Sequence, residues 1–320
     1  MEYRPLGATG LTVSALGYGA SPLGGVFDDV DETDAVRSVR ASLASGVNFV
    51  DVSPYYGITR AETVLGRALS GIPRDEYVLA TKVGRYGDNE FDYSQGRVRA
   101  SVDESLRRLG VEHVDLIQCH DIEFVSLDQV VDETIPALRS LVDEGKARYV
   151  GITGYSLRSL EYVSARAKVD TILTYCRYNL QDRSFAESLP TFAEREIGVI
   201  NASVLAMGAL TTRGAAPWHP ASAELLDACA RAAQLCRDRG TDIAKLALQY
   251  ALRLPGVAST LVGSARSENM ARNIAWSEEE VDLDLLTEVE QVLAPVRNAG
   301  WPVGRPENQD IAVGVRSPMA

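Results

Sequence analysis

The chain has 320 residues, 46% of them hydrophobic and 24% charged, so it is long enough to bury one large core or two smaller ones. Its 32 basic and 44 acidic residues give a net charge of −12, which disfavours nucleic acid and anionic membranes as partners. The chain lacks both a run of about 20 apolar residues and a secretion signal, so we expect a cytoplasmic protein without membrane contact.

The cysteines and histidines show neither disulfide nor metal-site spacing. No CxxC pair occurs among the four cysteines, and the three histidines form no HxH or HExxH pattern. We therefore expect buried reduced thiols and no bound metal.

Eight short apolar or β-branched stretches recur along the chain. In chain order the predicted strands are 15–18, 48–51, 77–81, 114–118, 149–152, 171–174, 198–201 and 259–262. The segments between them have helical signals, including acidic residues that open 31–46 and the apolar residues Val98, Val102 and Leu106, which recur every four positions. This alternation predicts parallel strands joined by helices.

The eight repeats favour a single (β/α)8 TIM barrel, and we assign residues 1–320 to one domain. The surplus residues are predicted to form an N-terminal β-hairpin at 3–13, extra helices near 242–254 and 284–292, and a polar tail at about 302–320. A doubly wound open sheet is disfavoured because Pro22 interrupts the glycine pattern that begins at Gly17.

Polar side chains follow the predicted strands and are expected to share one rim of the barrel. They are Asp51, Ser53, Tyr55, Tyr56, Lys82, His120, Asp121 and Thr153. A buried lysine would lower the pKa of a neighbouring tyrosine, with Asp51 as the counter-charge and His120 orienting the substrate oxygen. Such a group of residues predicts interconversion of a carbonyl and an alcohol, with the hydride carried by a nicotinamide.

These residues resemble the catalytic residues of the aldo-keto reductases. The stretches Asp51-Val52-Ser53-Pro54-Tyr55-Tyr56-Gly57, Ala80-Thr81-Lys82 and Gln118-Cys119-His120 match the family's aspartate, tyrosine, lysine and histidine in order. The resemblance covers 4–292. The loop segments 19–24, 119–124, 205–208 and 218–221 are most similar to the members that oxidise L-galactose or L-fucose (D-threo-aldose).

The resemblance implies a function and a set of site residues. The implied reaction oxidises the anomeric C1 hydroxyl of an aldose of L-fucose, L-galactose or D-arabinose type to its aldonolactone, with Tyr56 as general acid/base. The implied cofactor-binding residues are Thr153, Tyr175, Ser203, Leu205, Met207, Gly208, Gly263, Ser264, Asn269 and Asn273. The implied substrate-binding residues are Ser21, Phe27, Tyr55, Asp121 and Trp218.

The resemblance also implies a preference for NAD. Members that prefer NADP place a lysine and an arginine against its 2′-phosphate, where this chain has Gly263 and Asn269. NADP stays an alternative through Arg266 or Arg272.

Alternatives to the sugar dehydrogenase also stay open. They are a pyridoxal 4-dehydrogenase, a general NADPH-dependent aldehyde reductase, and, in another class, a cofactor-binding regulatory subunit. The expected partner is a small sugar, and the protein is expected to be a monomer or a weak homo-oligomer.

Overall fold

A computed structural model describes residues 1–26 and 29–310, which begin with a small β-hairpin. Strands β1 (Tyr3–Pro5) and β2 (Thr12–Ser14) are antiparallel, with Tyr3 paired to Ser14. The turn between them contacts the start of a barrel strand, since Ala8 donates its backbone N–H to Glu196 O. The predicted hairpin is therefore present and lies at the N-terminal end of the barrel.

The eight predicted barrel strands are confirmed as one closed parallel barrel. They are β3 (Leu16–Gly19), β4 (Phe49–Asp51), β5 (Val78–Val83), β6 (Val114–Cys119), β7 (Ala147–Gly154), β8 (Thr171–Tyr175), β9 (Gly198–Ala202) and β10 (Ser259–Val262). The strands are adjacent in chain order, and β10 pairs with β3 to close the barrel. Because all eight run the same way, the loops after them meet at one rim.

Helices cover the outside of the barrel. They are α1 (Glu32–Ala44), α2 (Arg60–Leu69), α3 (Gln95–Leu109), α4 (Leu127–Gln129), α5 (Ile135–Asp143), α6 (Leu157–Ser164), α7 (Phe185–Ala193), α8 (Ala223–Asp238), α9 (Ile243–Leu252), α10 (Ser267–Glu278) and α11 (Leu283–Leu293). Asp31, Ser156 and Asp242 cap their helices by accepting backbone N–H groups. None of the helices in residues 1–26 and 29–310 is long and apolar enough to cross a bilayer.

Two helices beyond the eight repeats form a separate core. Apolar residues of α8 and α11, including Leu225, Cys229 and Val289, pack together away from the barrel. The predicted extra helices at 242–254 and 284–292 are present as α9 and α11. The apolar residues of α9 are divided between the two cores: Ile243 and Leu246 join the core with α8 and α11, whereas Leu248 and Leu252 join the main core.

Candidate active site

Asp51, Lys82 and Tyr56 form a buried chain of polar contacts at the rim. Asp51 ends β4 and accepts a hydrogen bond from the Lys82 ammonium, which also donates to Val52 O at 2.9 Å and to Tyr56 Oη at 3.1 Å. Gln118 Nε2 donates to the second Asp51 oxygen at 2.8 Å. The ammonium is thus held by its counter-charge and directed at the tyrosine hydroxyl.

The ionisation of this chain is controlled by burial and by Lys82. Burial would lower the pKa of Lys82, but Asp51 and Tyr56 outweigh it and raise that pKa, so the lysine stays charged. Burial raises the pKa of Tyr56, and the Lys82 ammonium only partly opposes it. The sequence argument that the tyrosine pKa falls is therefore wrong for the net shift, although Lys82 acts in the predicted direction.

His120 directly follows β6 and lies beside Tyr56. The two rings meet edge to face with centroids 5.6 Å apart, and His120 Nδ1 is 2.9 Å from Ser53 Oγ. Burial, with the nearby charges of Lys82 and Arg85, holds the pKa of His120 well below its usual range. The imidazole is therefore neutral at physiological pH, and the four predicted catalytic residues meet at one place.

A buried ion pair borders the site. Arg85 Nη1 donates to Asp121 Oδ2 at 2.6 Å, and the side chains are only 15% and 5% exposed. The guanidinium lies 3.9 Å from the centroid of the Tyr55 ring, and its Nη2 donates to Tyr55 Oη at 3.0 Å. Burial raises the pKa of Asp121 while Arg85 opposes that rise. Asp121 and Tyr55 were predicted to bind substrate; Arg85 was not predicted.

Glu123 is a second buried carboxyl group beside this pair. One of its oxygens accepts the Tyr155 backbone N–H at 2.8 Å, whereas Oε2 has no partner in the described structure. Burial, with the charge of Asp121, raises the pKa of Glu123 to about 8. A Cβ atom added at Gly154 would lie 2.4 Å from Glu123 Oε2, so the carboxyl group fills the space that a side chain at 154 would need.

The predicted cofactor residues also lie at this rim. Thr153 and Tyr175 are at the ends of β7 and β8, and Thr153 Oγ1 accepts the Asp121 backbone N–H at 3.1 Å. The loop after β9 contains Ser203, Leu205, Met207 and Gly208, and three of these have positive φ angles of 54°, 48° and 99°. Left-handed backbone at Ser203 and Met207 is unusual and is typical of functional loops.

The end of β10 and the start of α10 hold the remaining cofactor candidates. Ser264 O accepts hydroxyl groups from Tyr18 and Ser38, and Ser264 Oγ accepts Asn269 Nδ2 at 3.3 Å. Asn273 lies one turn further along α10. Since β9 and β10 are adjacent, this cluster is next to the loop after β9.

The other predicted substrate residues are more scattered. Ser21 opens the short turn after β3, and Trp218 is 54% exposed on the loop before α8. Trp218 stacks on His219, which contacts Trp301 and hydrogen-bonds with Ala206 O at 3.0 Å. Phe27 lies outside the described residues.

Sequence reasoning missed Arg85, Glu123 and Gln118, and it placed Ser53 at the rim without giving it a role. Arg85 and Glu123 have no spacing signal: Arg85 lies two residues beyond β5, and Glu123 lies in a 3-10 helix at Ile122–Phe124 after β6. Ser53 and Gln118 are in the stretches that carry the resemblance, but no role was assigned to them. A search that also included the last residues of each predicted strand would have found Gln118.

Comparison with known proteins identifies the family. Residues 15–294 match the Aldo/keto reductase family. The chain belongs to this family. It is 49% identical over 317 residues to L-galactose dehydrogenase from Arabidopsis thaliana, covering 96% of this chain and 99% of that protein. It is 31% identical over 311 residues to D-threo-aldose 1-dehydrogenase from a Pseudomonas species, covering 88% and 94%.

A solved structure is also similar. The holo form of an aldo-keto reductase from Bacillus halodurans superposes with a TM-score of 0.77 at 28% identity, covering 97% of this chain and 100% of that one. This aldo-keto reductase is therefore an oxidoreductase that works with a nicotinamide cofactor. Its residues fit such a cofactor. Ser264 and Asn269 lie beside the N-terminus of α10, and the loop after β9 next to them has the left-handed backbone described above.

Proposed function

We propose that this aldo-keto reductase oxidises the C1 hydroxyl of an L-galactose-type aldose to the aldonolactone, with NAD as the cofactor. The observation that carries the proposal is the buried chain Asp51, Lys82 and Tyr56 beside a neutral His120. This arrangement can remove the proton of a hydroxyl group while the carbon that carries the hydroxyl loses a hydride.

The protein's own residues handle the proton. Tyr56 accepts the C1 hydroxyl proton, and the Lys82 ammonium 3.1 Å away stabilises the tyrosinate before transfer. Neutral His120 donates a hydrogen bond to the same oxygen. The nicotinamide, when bound, accepts the hydride. Because the pKa of Tyr56 is raised above 10, oxidation should become faster as the pH rises through the neutral range.

The polar border of the site supports a sugar as the substrate. Asp121, Arg85 and Tyr55 bring a carboxylate, a guanidinium and a phenol hydroxyl together beside His120. These groups already pair with one another, and ring hydroxyl groups, which are both donors and acceptors, can add further hydrogen bonds to them, whereas an apolar aldehyde cannot. The relatives named for L-galactose and D-threo-aldose support the same substrate class.

The structure around Gly263 supports NAD over NADP. A Cβ atom at Gly263 would lie 1.7 Å from Gly19 O, so a lysine cannot be added there without moving the backbone. Asn269 supplies no charge, and its Oδ1 accepts Arg272 Nη2 at 2.6 Å. At the same helix terminus, the Asp34 carboxylate accepts a hydrogen bond from Ser267 Oγ. A 2′-phosphate would therefore meet no cation at positions 263 and 269, and the cations beside it would be Arg266 and Arg272.

A substrate panel tests the proposal. NADH formation should be measured with L-galactose, L-fucose, D-arabinose, D-galactose and pyridoxal, each with NAD and with NADP. The first three share their ring stereochemistry from C2 to C4, and we expect turnover with them and NAD. Turnover of pyridoxal alone, or of aldehydes with NADPH alone, would contradict the proposal, and no turnover would favour a regulatory subunit.

A further inference from the structure

His120 makes one side-chain hydrogen bond through Nδ1, and its partner is Ser53. The Ser53 side chain is fully buried and its Oγ lies 2.9 Å from His120 Nδ1. The other polar contact of that hydroxyl is the Tyr55 backbone N–H, which donates to Oγ at 3.1 Å. No further acceptor for the hydroxyl proton occurs among residues 1–26 and 29–310.

Counting protons decides the direction of the Ser53–His120 bond. Tyr55 N–H can only donate, so it uses one lone pair of Ser53 Oγ. If His120 carried its proton on Nδ1, it would use the second lone pair and leave the buried hydroxyl proton without an acceptor. If Ser53 donates to Nδ1 instead, all three groups are satisfied, and a buried unsatisfied donor is avoided.

The other ring nitrogen supports the same assignment. His120 Nε2 lies 3.6 Å from Asp121 Oδ2, and Asp121 is paired with Arg85. A carboxylate oxygen at this distance stabilises an N–H group and disfavours a nitrogen lone pair. The lowered pKa of His120 indicates in addition that the ring carries a single proton. That proton is therefore on Nε2.

We propose that Ser53 is a positioning residue that holds His120 in the Nε2–H tautomer, so that the imidazole donates to the substrate oxygen and leaves the proton transfer to Tyr56. The assignment of the substrate oxygen rests on the proposed function, whereas the tautomer itself does not. A ring already protonated at Nε2 cannot accept the hydroxyl proton there, so Ser53 separates the roles of the two residues.

The tautomer can be observed directly. The chain has only three histidines, so imidazole ¹⁵N spectra of the full-length protein contain few signals, and a His120→Gln variant identifies those of His120. His219 is an internal reference, because its Nδ1 accepts the Ala221 N–H at 3.1 Å and its Nε2 faces Ala206 O. We expect a single Nε2–H form for His120 and a mixture of both tautomers in Ser53→Ala. An Nδ1–H form in the parent protein, or an unchanged spectrum in the variant, would overturn the proposal.

Kinetics give a second readout. Ser53→Ala should lower kcat for aldose oxidation by about three- to tenfold, the usual worth of one hydrogen bond, with the Kd for NAD unchanged. Ser53→Thr keeps the hydroxyl and should restore the tautomer. The control is Ser42→Ala, another buried serine, whose hydroxyl donates to Ser38 O within α1. Loss of kcat in this control equal to that in Ser53→Ala would refute the positioning role. If no aldose is turned over, the spectra still show which tautomer His120 adopts. Failure of the proposed aldose oxidation can therefore be distinguished from failure of the proposed role of Ser53.

Discussion

Replacement of Lys82 by methionine tests the charge that we propose allows Tyr56 to act as a base. Lys82 Nζ lies 3.1 Å from Tyr56 Oη, and the lysine side chain is 1% exposed. At this separation and an effective dielectric constant of about 20, a unit charge stabilises the tyrosinate by about 5 kcal/mol. That energy corresponds to about four powers of ten in the fraction of tyrosinate, and Asp51 would offset part of it.

We therefore expect Lys82→Met to lower kcat for aldose oxidation at pH 7 by about 10³- to 10⁴-fold. NADH formation measures the rate, and fluorescence titration measures the Kd for NAD, which should change little. The matched control is Lys245→Met, because Lys245 pairs with Glu279 on the outside of the barrel. This control should keep its full activity.

The variant also leaves the Asp51 carboxylate buried without its cation, which is expected to cost about 3–5 kcal/mol of folding stability. Thermal unfolding must therefore be measured beside the kinetics. Asp51→Asn/Lys82→Met removes both charges and should recover much of the lost stability while activity stays low. A folded Lys82→Met protein with less than a tenfold loss of kcat would refute the reasoning.

Three further predictions use other residues of the site. Tyr56→Phe should lower kcat by about two to four orders of magnitude with NAD binding retained, and unchanged turnover would remove Tyr56 from its role. Asn269→Arg should strengthen NADP binding by at least about tenfold in fluorescence titrations by supplying a cation, with NAD binding little affected. Glu123→Gln should change how the free energy of unfolding depends on pH. In the folded protein the pKa of Glu123 is about 8, above the usual 4.5, so the protonated carboxyl stabilises the fold below pH 4.5. This stabilisation is lost as the pH rises through 8. The variant should therefore gain stability relative to the parent between pH 5 and 9 in urea denaturation, and parallel curves would contradict the assignment.

The barrel could be predicted from sequence because its signals are local. Each strand is a short apolar run such as 114–118, and each is followed by a segment with helical periodicity. The extra helices were also predicted, since α9 and α11 cover 242–254 and 284–292. The core that each apolar residue of α9 joins could not be predicted, because it depends on contacts with α8 and α11 that form only in the folded protein.

The meeting of the four candidate catalytic residues at one rim could be predicted for a related reason. Asp51, Lys82 and His120 lie at or beside strand ends, and Tyr56 follows Asp51 by one short turn, so parallel strands bring them to one rim. Arg85 could not be found in this way. Its position depends on Tyr55 and Asp121, which come from two other loops.

The C-terminal segment shows why polar composition alone does not identify a free tail. Residues 302–310 were expected to belong to a polar tail, yet Asn308 is buried and donates to Glu123 O and Val125 O at 3.0 and 2.7 Å. Asp310 accepts the backbone N–H of Arg158 at the start of α6, where helix N–H groups lack partners within the helix. Asn308 therefore satisfies backbone carbonyls of the loop that carries Asp121 and Glu123, and Asp310 satisfies backbone N–H groups at the start of α6. Residues 302–310 therefore help to hold the border of the site in place, and they are polar because they hydrogen-bond to backbone groups there.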